Sequence, residues 1–205
     1  MTLYQRFALI TALFPLLLSI GILLIPVVRS YADHELAQQA AAKSHRWFWG
    51  HLLSAVAFVF SILVACCLAV YLHTTDVFRL AALTVPVMAV GAGLLAVGLG
   101  ADGIGPLAVR KAGYPARAFF DGSSTWVTGT FIAGSIIYGL GQIGLMAAIQ
   151  HTSLLAPGVG ILVMIAAILF SVSSAIPSGY GLYMVVLLVW LIHLPISVAL
   201  WPLAG

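Results

Sequence analysis

The sequence predicts an all-α, polytopic integral membrane protein, a bundle of about six transmembrane helices forming a single domain over residues 1–205. Two observations carry this expectation. Hydrophobic residues fill 63% of the 205 positions and charged residues only 6%. An ordinary soluble domain carries roughly a quarter charged residues, so a water-facing surface cannot be built from this supply. The apolar residues also fall in runs near the roughly 20 needed to cross about 30 Å of hydrocarbon at about 1.5 Å per residue.

Taken in order, the runs place spans at residues 7–28, 48–72, 80–100, 126–149, 155–176 and 179–200. The first run is longer than the apolar core of a signal peptide, and Arg29-Ser30-Tyr31-Ala32 is a poor cleavage context, so it is read as a span. Pro26 closes it. Gly-rich Asp102-Gly-Ile-Gly-Pro106 follows the third span, Asp121-Gly-Ser-Ser-Thr125 offers caps for the fourth, and Pro177-Ser-Gly179 separates the last two. Pro15, Pro86 and Pro195 fall inside spans, where they kink a helix rather than end it.

The formal charge of +3 does not point to nucleic acid, because the Lys and Arg residues are scattered through loops rather than striped along one face. Arg29, Lys43, Arg46, Arg110, Lys111 and Arg117 fall in the first and third loops, against Arg6 and Arg79 on the other side. Positive charge accumulates in cytoplasmic loops, so loops 29–47 and 101–125 are expected in the cytoplasm and both termini outside, in a bacterial inner membrane. Arg110, Lys111 and Arg117 are expected beside anionic lipid headgroups, with Trp47, Trp49 and Trp126 in the aromatic belt on that side. The Ala-rich stretch 31–46 reads as an interfacial helix running into the second span. Cys66 and Cys67, adjacent in an apolar run, diverge by about 100° on a helix and form no structural disulfide.

Few residues point to chemistry. His193 lies well inside the last span, and an ionisable side chain at that depth is a candidate functional residue; the plain alternative is a neutral imidazole bonded to a facing carbonyl. As a ligand, His193 would hold haem or a chlorophyll-type pigment. His51 is the other cofactor-binding candidate, but it lies about 5 Å from its cytoplasmic helix end and His193 about 21 Å from its own, so one haem cannot take both. Asp33, His34, Glu35 and His45 are metal-ligand types whose spacing shares no helical face, so no metal site is expected. His73 and His151 fall at the opposite interface beside Asp76 and Gln150. Gly-x-Ser-x-Gly and paired carboxylates at membrane depth are missing, and catalysis is not expected; Asp102, Arg110, Arg117 and Asp121 at the membrane surface are the residues a lipid-modifying enzyme would use.

Glycines concentrate in the third and fourth spans, and Ser135 with Gly139 and Gly144 with Ala148 have the four-residue spacing of close helix packing. The expected function is therefore a non-catalytic membrane subunit that sits in the bilayer, packs against other integral membrane proteins and holds lipid or pigment. Haem- or chlorophyll-ligating electron transfer or light harvesting through His193 is the alternative. A small-solute transporter with a broken-helix site is the second alternative, weakened by the lack of a mid-membrane carboxylate.

Overall fold

A computed structural model of the chain describes residues 1–176 and 178–203, with the side chain of Ser124 also outside the description; Pro177, expected to part the last two spans, lies outside it. The helices are α1 (Leu3–Leu24), α2 (His34–Ala41), α3 (Ser44–Tyr71), α4 (Phe78–Lys111), α5 (Arg117–Gln150), α6 (Pro157–Ser174) and α7 (Gly179–Leu200). All of these except α2 are long and apolar enough to cross a membrane, which gives the 6 spans of an integral membrane bundle.

Local chemistry sets the ends. Thr2 and Gln5 form a reciprocal capping box at the start of α1. Asp33 caps α2, its Oδ1 accepting from the amides of Glu35 at 3.0 Å and Leu36 at 3.3 Å. At the end of α4, Gly113 takes a φ of 89° and its amide bonds back to Arg110, while the Tyr114 amide bonds to Val109. This is a Schellman stop, which calls for a residue without Cβ.

Three boundaries depart from the sequence reading. The helix α4 runs through Asp102–Pro106 to Lys111 and α5 begins at Arg117, so the expected loop 101–125 shrinks to residues 112–116, and 121–125 lies inside α5 rather than capping it. Hydropathy marks where a chain leaves hydrocarbon, not where its helix ends. Each of these 34-residue helices is about 51 Å long, well beyond the bilayer core. The stretch 31–46 is also divided: α2 spans only 8 residues and ends at Ala41, before α3 begins at Ser44.

Packed neighbours follow chain order. The helix α1 lies against α3 and α7, α3 against α4, α4 against α5, α5 against α6 and α6 against α7, which closes a ring of six spans. Along α1, Leu9, Leu13, Leu16, Ile20 and Leu23 are exposed, whereas Ala8, Phe14, Leu18 and Ile22 are buried. The ring is filled at its middle by aromatic side chains from four helices. Ring centroids stand 6.4 Å apart for Phe14 and Phe58, 5.4 Å for Phe58 and Tyr138, and 6.1 Å for Tyr138 and Phe170.

The glycines of α4 and α5 seam those two helices together. A Cβ on Gly134 would come 2.9 Å from the Leu95 amide nitrogen, and one on Gly141 would come equally close to that of Met88; Gly91 abuts the Tyr138 backbone. Backbone contact this close is the small-residue packing that apolar solvent favours.

Candidate functional site: an interhelical cavity with a His–Asp pair

At the end of the ring that carries the α1–α3, α4–α5 and α6–α7 connections, the helices enclose a cavity of about 560 Å³. Its wall is largely apolar, with Ile25, Leu99, Phe119, Phe131 and Leu182 among its lining. Polar groups gather at Tyr31, His34, His51 and Asp102. Thr128, Gly129 and Ile132 on α5, and Ile176 after α6, line the cavity and are solvent-exposed.

Three features build the polar end. Pro106 lies inside α4 and has no amide hydrogen, so the carbonyl four residues earlier, that of Asp102, loses its helical donor. The Trp47 indole Nε1–H replaces that donor at 2.7 Å. Gly103 makes room for the second feature: a Cβ there would come 2.7 Å from the His51 Cβ. His51 Nδ1 lies 2.7 Å from the Trp47 carbonyl, one turn back on α3, and its Nε2 lies 3.3 Å from Asp102 Oδ2. A carbonyl oxygen only accepts, so Nδ1 carries a hydrogen and Nε2 is the atom turned to the carboxylate. Tyr31 closes the third side, its hydroxyl donating to the Pro26 carbonyl at 3.0 Å. Burial pushes that phenol up to about 12.

A docked α2 covers this end. Its Ala37, Ala40 and Ala41 are buried against a cluster that includes Trp47, Ala116 and Phe120. His34 Nδ1 stands 2.6 Å from Asp121 Oδ1. The Arg117 guanidinium reaches Asp121 at 3.3 Å and Glu35 at 3.7 Å, and its backbone amide donates to Gln38 Oε1 at 3.0 Å. The His34 hydrogen bond, helped by Arg117, holds the Asp121 carboxyl below its ordinary value of 3.8. Arg110 donates to the Ala41 carbonyl at 3.3 Å, placing its charge at the C-terminus of α2.

The residues singled out by sequence thus separate. His51 lines the cavity; His193 does not, and is buried with Nδ1 donating to the Val189 carbonyl at 2.9 Å and its ring edge-on to Phe14 at 4.9 Å. Arg110 and Arg117 hold α2, and Lys111 is exposed beside them. Trp47 is completely buried rather than in an interfacial belt, because its indole serves Asp102; Trp49 and Trp126 are exposed. Gly139 packs on Ser171 of α6, Gly144 on Thr84 of α4, and Ser135 and Ala148 are buried inside the ring. Cys66 is exposed and Cys67 buried. Among the described residues, no three His, Cys, Asp or Glu side chains come together as metal ligands. A second pocket of about 450 Å³ on the opposite face is lined by Tyr4, Tyr71, Asp76 and His151.

Beneath the cavity, the interior stripe of α5 turns polar. Ser135, Tyr138 and Gln142 are buried there, and the Ser135 hydroxyl, the Tyr138 hydroxyl and both amide atoms of Gln142 lack a hydrogen-bond partner among the described residues. Sequence reading took Ser135 as a packing residue and passed over the other two. Their spacing of three and four residues, one helical face, was the available signal.

No family model, curated protein or solved structure matches the chain. Fold and site together define its class: a polytopic helical membrane protein with an interhelical cavity at one end of the bundle.

Proposed function

We propose that this membrane protein binds a lipid-soluble amphiphile in the cavity, the apolar body lying among Ile25, Leu99, Phe131 and Leu182 and the polar end at His51 and Asp102. A mostly apolar pocket of a few hundred Å³ with a few convergent polar groups is the usual form of a small-molecule site. The observation that carries the reading is the position of the His51–Asp102 pair, 3.3 Å apart, in the wall of such a cavity. The largely apolar wall supports a ligand drawn from the bilayer.

This reading keeps the lipid-holding part of the sequence expectation. Assembly with other membrane proteins draws no support from Gly139 and Gly144, whose contacts lie within the chain. Haem or chlorophyll at His193 is not the reading taken, because that imidazole is buried away from the cavity, with its Nδ1 on the Val189 carbonyl and the Phe14 ring 4.9 Å from its own. The cytoplasmic placement of the cavity end is proposed from the positive charge of its loops.

Native mass spectrometry of the chain released from mild detergent tests the reading. The wild type is expected to retain a lipid-soluble molecule, and Leu99→Trp, which sets a bulkier side chain in the apolar wall of the cavity, is expected to lose it while keeping its helical spectrum. Equal retention by both proteins, or no bound amphiphile after exposure to a broad lipid extract, sinks the proposal. Subunit composition read in the same experiment reports any protein partner.

A further inference from the structure

The strap that joins α1 to α3 sits over the polar end of the cavity, and the way it is held bears on how a ligand reaches the site, which rests on the binding role just proposed. Tyr31, Ala32 and His34, leading into α2, line the cavity. On the inner face of α2, Ala37, Ala40 and Ala41 pack in one cluster with Ile25, Trp47 and Phe120, which are cavity lining as well. Lifting α2 therefore uncovers the wall of the cavity itself.

The two ends of the strap are pinned. The Gly179 amide at the start of α7 donates to the Val28 carbonyl at 3.1 Å. The Arg46 guanidinium, in the first turn of α3, donates to the Leu24 carbonyl at 3.2 Å and to that of Leu23 at 3.4 Å. Between these pins the chain carries α2, a helix of only 8 residues, well short of the length that is stable alone. The buried contacts of α2 are three alanine methyl groups, the smallest apolar surface a side chain can offer. Its polar contacts to α5 run through Arg117, Glu35 and Asp121, each just over half exposed. Exposed pairs contribute little and are screened by salt. The spans, by contrast, bury stripes of Leu, Ile and Phe. A segment with few buried apolar contacts and exposed hydrogen bonds opens locally before the rest of the fold.

We propose that α2 is a lid: residues 29–43 swing away from α5 while Val28 and Arg46 stay fixed, and the opening connects the polar end of the cavity to water. The pairs His34 with Asp121 and Arg117 with Glu35 are its latch. A ligand's polar group then enters and leaves on that side.

Water access tests the lid without a ligand. Leu99 lines the cavity and is 7% exposed, so a Leu99→Cys chain in phosphatidylcholine nanodiscs carries a thiol that a permanently charged methanethiosulfonate reaches from water only through an opening. The chain with only its own Cys66 and Cys67 is the blank. Hydrogen exchange over residues 33–42 reports on α2 in the same samples. Adding Ala37→Glu, which forces a charge into the buried face of α2, is expected to quicken exchange and labelling at least tenfold. Adding Arg117→Ala, which removes exposed pairing only, is expected to quicken both about two- to fivefold. Faster exchange with unchanged labelling overturns the lid, since α2 would move without opening the cavity. Labelling that is already as fast with α2 docked overturns it as well. So does exchange unchanged in both variants, because the named contacts would not hold α2. If Ala37→Glu does not fold, Arg117→Ala decides. Labelling needs no bound amphiphile, so failure of the amphiphile reading shows separately, as a wild type that carries no lipid-soluble molecule in native mass spectrometry.

Discussion

The indole of Trp47 donates to the backbone carbonyl of Asp102 at 2.7 Å, and that carbonyl is the one Pro106 leaves without a helical donor. One contact therefore mends a proline break in α4 and fixes the level of Asp102 opposite His51. Trp47→Phe keeps most of the ring but strands a buried carbonyl, at an expected cost of about 1–3 kcal/mol. Pro106→Ala restores an amide hydrogen to the helix and should recover much of that loss in the double variant. Thermal unfolding of the four proteins in detergent closes the cycle, and simple additivity of the two substitutions would disprove the coupling.

The α4–α5 seam gives a paired test on two neighbouring glycines. A Cβ on Gly91 meets the Tyr138 backbone, whereas one on Gly93 meets nothing within 4 Å. Gly91→Ala should force the helices apart and destabilise by roughly 1–3 kcal/mol. Gly93→Ala should be neutral or gain up to about 1 kcal/mol from helix propensity. Denaturant titration in mixed micelles measures both, and equal effects would refute the seam.

How much of this was legible in the sequence differs from residue to residue. The spans were, because residues such as Leu9, Leu13 and Leu16 must face lipid and no soluble surface can use them. The ends of α4 and α5 were not, since a helix continues past the hydrocarbon as readily through Ile104 and Leu107 as within it. His51 was singled out by its depth, but Asp102 was read as a loop residue, and its approach to His51 depends on Pro106, Gly103 and Trp47 together. Pairing across 51 positions of chain leaves no periodic trace. His193 attracted attention for the cost of burying an imidazole, and a single carbonyl, that of Val189, answers its Nδ1–H.

The docking of α2 should depend on acid through Asp121. Its carboxyl is held below the ordinary 3.8 by the hydrogen bond from His34 and by Arg117. A group whose folded value is depressed stabilises above its unfolded value and loses that contribution as pH falls through the folded one. The contact should thus persist as pH drops to 3.8 and give way below it. Hydrogen exchange over residues 33–42 follows the change, with faster exchange expected below that point. In Asp121→Asn the acid step should vanish; a step that survives the substitution would place the response elsewhere.

Gln142 presents the opposite case, a polar side chain buried at 1% exposure whose amide nitrogen and oxygen find no partner among the described residues. An amide in that position forfeits its bonds to water without recovering them, whereas a thioether of similar length forfeits nothing. Gln142→Met should therefore raise stability by roughly 1–3 kcal/mol, read as a higher midpoint in thermal unfolding. The same variant should retain a lipid-soluble ligand as the wild type does, because Gln142 lies beneath the cavity and does not line it. A lower midpoint would mean that the amide is satisfied by something the interior of the bundle holds. If ligand retention fell with it, the ligand would reach deeper than the His51–Asp102 pair, along the face of α5 that Ser135 and Tyr138 share.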